Sequence, residues 1–337
     1  MTLTKRGSFL LLLGTLAVLL ASCSGGGGDK GGKGGGGSAE SAEEYPSDTI
    51  TMLVPYTAGG PTDLAARSVA TCFEGEFGQT LVVDNRPGAG GALAMNELIN
   101  SEADGYTIKI IAAPATVITP YVEENVTYTE DDFVAIGVIT EIPSVLGVSS
   151  ASEYETAEEF FDAAQANPGA LNVGVPGATT SQSIELQRLA EEYGVQVTTV
   201  PFDGNAELTA ALLGNNVDAI FVNASEDILD YFESGEFRPL AVSPAERVEY
   251  LPDVPTLREL GYETLTYSTS IFGLGAPNGT SPEIVSKLED TLSTCLEDPQ
   301  VREQLGENYV PDEFVGSEEL RRRLDEIVSV YKPVLTS

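Results

Sequence analysis

Ile50-Thr51-Met52-Leu53-Val54-Pro55-Tyr56-Thr57-Ala58-Gly59-Gly60-Pro61-Thr62-Asp63 is a short apolar run that stops at a proline and passes through small residues into a helical pattern. Ile50 to Val54 reads as a buried strand. Gly59-Gly60 lets a ligand approach the backbone closely, and Pro61 suits a first helical position. Asp63 can cap early N–H groups or accept a ligand hydroxyl or water. Leu64 to Phe77 follows as a helix, then Leu81 to Val83 as a strand, Ala92 to Ile99 as a helix and Tyr106 to Ala112 as a strand. This β-α-β-α-β order predicts an α/β protein whose mostly parallel sheet is covered by helices.

A second cycle has the same grammar. Val145–Val148 is a strand and Ala157–Ala166 a helix, ended by Asn167-Pro168-Gly169. Leu171–Val175 is a strand, Ser183–Tyr193 a helix and Val197–Val200 a strand, followed by a helix over Glu207–Leu213 and strands at Val217–Val222 and Leu240–Val242. Ile271–Ala276 is the last strand, with helices at Pro282–Leu296, Pro299–Leu305 and Ser317–Lys332. Leu171–Val175 runs into Pro176-Gly177-Ala178-Thr179-Thr180-Ser181, a small-residue loop like the first. Each loop would put backbone N–H groups at the carboxyl end of its sheet, where a helix start attracts anions. Two facing starts would form an anion clamp, although ordinary strand-to-helix turns read the same way.

The first 22 residues read as a signal peptide: Lys5 and Arg6, then an apolar stretch from Phe9 to Leu20 that is short for a membrane span. Leu20-Ala21-Ser22-Cys23 looks like a lipobox, with Cys23 the lipidated residue. Residues 23–44 then form a glycine-rich tether whose mean reach is roughly 25 Å. Two cysteines remain, Cys72 and Cys295, which could form a disulfide outside the cytoplasm or stay as two buried thiols.

Composition excludes several functions. Lys and Arg number 17 against 52 Asp and Glu, a net charge of −35, so nucleic acid is not an expected partner. There is no His, which removes Ser-His-Asp catalysis and His-bound metals. No Gly-x-Ser-x-Gly elbow or Walker loop occurs, and Gly88-Ala89-Gly90-Gly91-Ala92-Leu93 has Leu93 where a dinucleotide fingerprint needs its third Gly. Acidic pairs such as Glu158-Glu159 read as solvated faces. Arg321-Arg322-Arg323 lies among acids and reads as helical pairing. The residues point to binding rather than turnover, with no cofactor and no metal.

Several motifs, in order, resemble the substrate-binding proteins of tripartite tricarboxylate transporters, the Bug or TctC-like family. They are Val54 to Asp63, Asn85-Arg86-Pro87-Gly88-Ala89-Gly90-Gly91, Asp104-Gly105-Tyr106-Thr107, Asn167-Pro168-Gly169, Val200-Pro201-Phe202-Asp203-Gly204 and Leu251-Pro252-Asp253-Val254-Pro255-Thr256. The resemblance implies a two-lobed periplasmic-binding-protein-like fold of type II with two hinge crossovers. Lobe 1 would hold Tyr45–Ile142 and Ser268–Ser337, and lobe 2 Pro143–Tyr267. Ligand contacts carried over fall on Tyr56, Thr57, Ala58, Gly59, Gly60 and Asp63 in loop 1 and on Gly177, Ala178, Thr179, Thr180 and Ser181 in loop 2. Phe202, Asp203, Gly204 and Asn223 complete the set.

The resemblance further implies a monomeric, lipid-anchored protein on the outer face of the bacterial cytoplasmic membrane. It would bind a small organic carboxylate and hand it to a large and a small membrane subunit. A carboxylate-sensing role would use the same cleft. The chain departs from the family pattern at Ser183, where His is common, at Val222, where Asp is common, and at Asp203, where Lys is common. Asp203 should repel a tricarboxylate, so a mono- or dicarboxylate is expected.

Overall fold

The computed structural model describes residues 44–123, 125–202 and 204–336. The signal segment, Cys23, the glycine-rich tether and Asp203 lie outside them. Ten strands and ten α-helices occur among the described residues. The first series is β1 (Ile50–Val54), α1 (Pro61–Phe77), β2 (Leu81–Asn85), α2 (Ala92–Ile99), β3 (Thr107–Ala113), α3 (Ala115–Val122) and β4 (Phe133–Ile142). The second is β5 (Ser144–Ser149), α4 (Ala157–Ala166), β6 (Asn172–Val175), α5 (Ser181–Tyr193), β7 (Thr198–Pro201), α6 (Asn205–Leu213), β8 (Ala219–Asn223), α7 (Glu226–Glu233) and β9 (Phe237–Val242). β10 (Ser270–Pro277), α8 (Pro282–Glu297), α9 (Pro299–Leu305) and α10 (Ser317–Leu335) complete the chain.

Two five-stranded sheets result, ordered β2-β1-β3-β10-β4 and β7-β6-β8-β5-β9. In the first, β1 is parallel to β2 and β3, while β10 is antiparallel to both β3 and β4. In the second, β6 is parallel to β7 and β8, while β5 is antiparallel to β8 and β9. Each sheet is therefore mixed, with four strands pointing one way and one returning strand opposed. The returning strands, β5 and β10, are the two that receive the chain from the other sheet.

Burial explains the layers. Ile50, Met52 and Val54 pack under α1, α8 and α9, while Leu53 points to the opposite face, where α2, α3 and α10 cover it. β1 is thus apolar on both faces, as a central strand with helices above and below must be. The second sheet repeats the plan, with α4 and α5 on one face and α6 and α7 on the other. Cys72 of α1 and Cys295 of α8 are joined by a disulfide, Cα–Cα 5.7 Å, which pins the returning C-terminal segment to the first helix.

Three elements escape the sequence reading. α3 is rich in β-branched residues and contains Pro120, both unfavourable to a helix. Packing overrides propensity here: Val117 and Ile118 are buried, and the Thr116 carbonyl that Pro120 cannot serve accepts from the Tyr128 hydroxyl at 2.9 Å. β4 has no clean alternation because both its faces are covered. Gly137 marks where it passes closest to the C-terminal segment: a Cβ there would stand 2.9 Å from Phe314. α7 is a short acidic helix that buries only Ile228. Three helices also begin earlier than expected, α1 at Pro61 rather than Leu64, α5 at Ser181 rather than Ser183 and α6 at Asn205 rather than Glu207.

Lys109, in the middle of β3, is almost fully buried, and its Nζ donates to the Ile110 carbonyl at 2.8 Å. Burial pulls its pKa down to about 7. The folded state therefore sheds this proton before the unfolded chain does, so the group's contribution to stability grows as pH rises from about 7 toward 10.5. Lys109→Met should raise the melting temperature at pH 7, and the gain over wild type should shrink as pH rises through that window, as read by calorimetric melts. Alkylation without reductant should leave Cys72 and Cys295 unmodified, and reduction should cost about 2–5 kcal/mol for so long a loop.

Candidate functional site

A single residue, Pro143, separates β4 from β5. Ile142, at the carboxyl end of β4, is in register with Ser270, and Ser144 is in register with Asn223 at the carboxyl end of β8. The carboxyl edges of the two sheets therefore meet at the crossover. Loop 1 follows the carboxyl end of β1, and loop 2 follows that of β6, so both open toward the space between the sheets.

Loop 1 is held by a buried acid. Asp63 Oδ2 accepts from the Gly59 N–H at 2.9 Å and from Arg67 Nε at 2.9 Å, and Oδ1 accepts from Asn85 Nδ2 at 3.0 Å. Asn85 also donates to the Tyr56 carbonyl at 3.0 Å. Arg67, then Gly59 and Asn85, hold the Asp63 carboxyl down at about 2. Asp63 is thus occupied in shaping the loop, and the Gly59 N–H is committed to it. Gly59 takes φ +89°, which favours glycine. Gly60 is the N-cap of α1 and no side chain caps the helix, so this edge presents an unserved helix start. Thr57 and Ala58 are exposed and Tyr56 is half-buried.

The Asn85–Gly91 motif has a structural role at the same place. Asn85 orders loop 1, and the Arg86 N–H donates to the Val54 carbonyl at 2.8 Å. Gly91 has φ +95°, and a Cβ on it would lie 3.1 Å from Pro55. The motif lets the turn before α2 lie against loop 1.

Loop 2 is capped from within. Thr180 Oγ1 accepts from the Ser183 N–H at 3.5 Å and donates to the Gly177 carbonyl at 3.1 Å, and the Ser183 hydroxyl donates to that carbonyl at 2.6 Å. Ala178 and Thr179 are exposed. Ser181 is buried, its hydroxyl 3.4 Å from the Ser268 carbonyl. Phe202 packs against β6, 3.2 Å from where a Cβ on Gly174 would be, and Gly204 starts α6 without a side-chain cap.

Asn223 is spent on the hinge. Its Oδ1 accepts from Gln182 Nε2 at 2.7 Å, and its Nδ2 donates across to Ser270 Oγ on β10 at 2.9 Å. Gln182 also donates to Ser144 Oγ at 2.9 Å, and Ser144 Oγ donates to the Ser268 carbonyl at 2.8 Å. A neutral network thus joins both crossovers to the start of α5. Gln182, Ser144, Ser268, Ser270 and Arg67 carry no local sequence signal for these roles, whereas Asn85 lies in the Asn85–Gly91 motif.

A cavity of about 450 Å³ opens between the lobes. Lobe 1 contributes Gly59, Gly60, Asp63 and Thr140, and lobe 2 contributes Ser225, Glu226 and Asp227. None of the loop 2 residues lines it. Among the described residues no cluster of three metal-ligating side chains occurs, and no helix is long and apolar enough to cross a membrane.

The sequence profile of the tripartite tricarboxylate transporter family receptor, TctC, matches residues 65–336. A TctC solute-binding protein from Polaromonas superposes with a TM-score of 0.77 at 29% identity, covering 86% of this chain and 99% of its own. MatC from Rhodopseudomonas palustris with bound malate gives 0.69 at 27%, covering 86% and 100%. An R. palustris protein with adipate gives 0.70 at 30%, covering 86% and 97%.

The Asp63 network makes a measurable demand. Asp63→Ala orphans the Gly59 N–H and the Asn85 amide and should cost about 1–3 kcal/mol in urea denaturation at pH 7. The folded carboxyl ionises below its unfolded value, so its contribution is present above about pH 4 and fades as pH falls toward 2. The gap between wild type and variant should narrow accordingly between pH 4 and pH 2.

Proposed function

The chain belongs to the tripartite tricarboxylate transporter receptor family and is a solute-binding receptor, not an enzyme, and on that premise we propose how it works. It captures a small organic carboxylate between loop 1 and loop 2, using Tyr56 to Gly60 on one side and Gly177 to Ser181 on the other. The observation that carries this is the uncapped start of α1 at Gly60, on a sheet edge that the one-residue crossover turns toward the opposite lobe. A carboxylate oxygen can accept from such a helix start without any cation. The malate and adipate held by the two R. palustris relatives fit a mono- or dicarboxylate ligand here. The excess of acids around the cleft favours these over a tricarboxylate.

Asp63 positions loop 1, and Asn223 transmits closure through Gln182 and Ser270 instead of touching the ligand. Closure of the lobes shifts the population toward the shape that a large and a small membrane subunit recognise. Cys23, carrying a lipid, and the tether after it keep the monomer on the outer face of the cytoplasmic membrane. The lobes are taken as Tyr45–Ile142 with Ser268–Ser337 and Pro143–Tyr267.

Calorimetry with malate, adipate and citrate tests the reading. Gly60→Pro removes one N–H at a position whose φ of −88° is near proline's own, while Gly60→Ala keeps the N–H in a roomy site. The proline variant should bind at least 10-fold more weakly than wild type, and the alanine variant within about 3-fold. Equal affinities for the two variants would remove the helix start from the site.

A further inference from the structure

Helix α5 buries polar residues as well as apolar ones. Leu186 and Leu189 enter the core of the second sheet, and Ile184 joins the core under α10. Ser181, Gln182, Glu185 and Arg188 are buried too, each 5% exposed or less. Ser181, Glu185 and Arg188, four and three apart, share one side of the helix. That side runs along the segment that enters β10. Ser181 Oγ stands 3.4 Å from the Ser268 carbonyl, Glu185 accepts from the Tyr267 N–H at 3.3 Å, and Arg188 donates to the Thr264 carbonyl at 3.0 Å.

The acid in this row is incompletely balanced. On its own helix Glu185 pairs with Arg188 at 3.1 Å, but that guanidinium also serves Glu192 at 2.9 Å. α10 supplies the Tyr331 hydroxyl at 2.7 Å, while the next residue, Lys332, lies over the Tyr121 ring. The segment before β10 supplies the Tyr267 amide. Phe160, Phe161 and Leu265 make the neighbouring wall apolar. Two carboxylates therefore share one guanidinium, and the one withdrawn from water is Glu185. Burial pushes its carboxyl up to about 7, against the pull of Arg188 and Tyr331.

Loop 2 ends one turn away. Ser181 precedes Glu185 by four residues, about 6 Å along the helix axis. The two side chains meet consecutive residues, Ser268 and Tyr267, so the crossover holds them side by side. An anion at Gly177 to Ser181 and the Glu185 carboxylate would both draw on the start of α5. Ser181 and Gln182, which lie between them, are buried, so water screens the pair poorly. Like charges so placed raise each other's affinity for a proton.

Building on the reading that loop 2 holds the ligand carboxylate, we propose that the receptor takes up one proton from solvent at Glu185 as it captures its ligand, and returns it on release. The neutral acid still accepts from Tyr331 and Tyr267, and it leaves Arg188 to Glu192. Capture is then tighter on the acid side of neutrality, and a rise in pH favours release.

Calorimetry of malate and adipate binding in two buffers of unlike ionisation enthalpy counts the protons exchanged. Both acids are themselves ionised at pH 7. Wild type should take up about 0.4 proton per ligand at pH 7 and bind roughly 3-fold or more tightly at pH 6 than at pH 8. Glu185→Gln, close in shape, should bring uptake below about 0.1 proton and flatten the affinity over that range. Tyr331→Phe keeps the acid but removes a donor to its ionised form, so uptake should persist and move to higher pH. Lys109 is the control, since it also titrates near neutrality and stands beside Leu53 near the end of β1. Lys109→Met should take up protons as wild type does. Binding by wild type without proton exchange overturns this inference and leaves carboxylate capture standing. So does uptake that is kept in Glu185→Gln or lost in Lys109→Met. Binding of neither acid overturns both.

Discussion

Pro143 leaves no slack between the two sheets. With Ile142 bound into one and Ser144 into the other, the carboxyl edges of β4 and β8 must lie within a residue's length of each other. The polar groups exposed by that abrupt passage cannot reach water, because Pro143, Ser144 and Ser243 are all buried. They are satisfied locally: the Ser243 N–H donates to the Ser144 carbonyl at 2.9 Å, and the Ser144 N–H to the Ser243 hydroxyl at 3.2 Å. Only amides and hydroxyls serve this junction. A hinge made of neutral groups can change partners during rotation without stranding a buried charge, which would be far more costly.

The same geometry would let a strongly acidic chain accept the proposed anionic ligand. Charges spread over the surface act through water and salt, and beyond about 8 Å at physiological ionic strength they are largely screened. A helix start acts at contact. The acid that loop 1 does contain, Asp63, is answered in place by Arg67 and Asn85, so it orders the loop without turning the helix start negative. Arg67 is itself half-exposed, so its pairing contributes through geometry more than through raw Coulomb energy.

The sequence displays the fold wherever one element carries one signal. β1, α2, α4 and α9 have the residues expected of them because apolar period, proline and glycine agree there. α3 and β4 were invisible because tertiary burial, not local preference, decides them: Tyr128 replaces the donor that Pro120 lacks, and β4 is covered on both sides. The two glycine- and threonine-bearing loops were legible as helix starts. Their inner commitments were not, since nothing local tells that Gly59 is bound to Asp63 or that Thr180 caps α5. Asn223 is the instructive case: its place at a strand end is readable, but its partners Gln182 and Ser270 lie 41 and 47 residues away.

Two contacts flank the hinge and are unequal. On one side Glu185 of α5, buried, accepts from Arg188 at 3.1 Å, from the Tyr331 hydroxyl of α10 at 2.7 Å and from the Tyr267 N–H at 3.3 Å. Burial pushes its carboxyl up to about 7, against the pull of Arg188 and Tyr331. On the other side the Tyr309 hydroxyl donates to the Ala224 carbonyl at 3.0 Å, a neutral bond. Bonds to a buried carboxylate are the stronger kind, and separating Glu185 from Tyr331 would leave a buried acid short of a donor. Of the two, the neutral Tyr309–Ala224 bond would therefore be the less costly to break if the lobes moved apart. Tyr309 also lies in the wall of the cavity beside loop 1, which puts that weaker contact next to the start of α1.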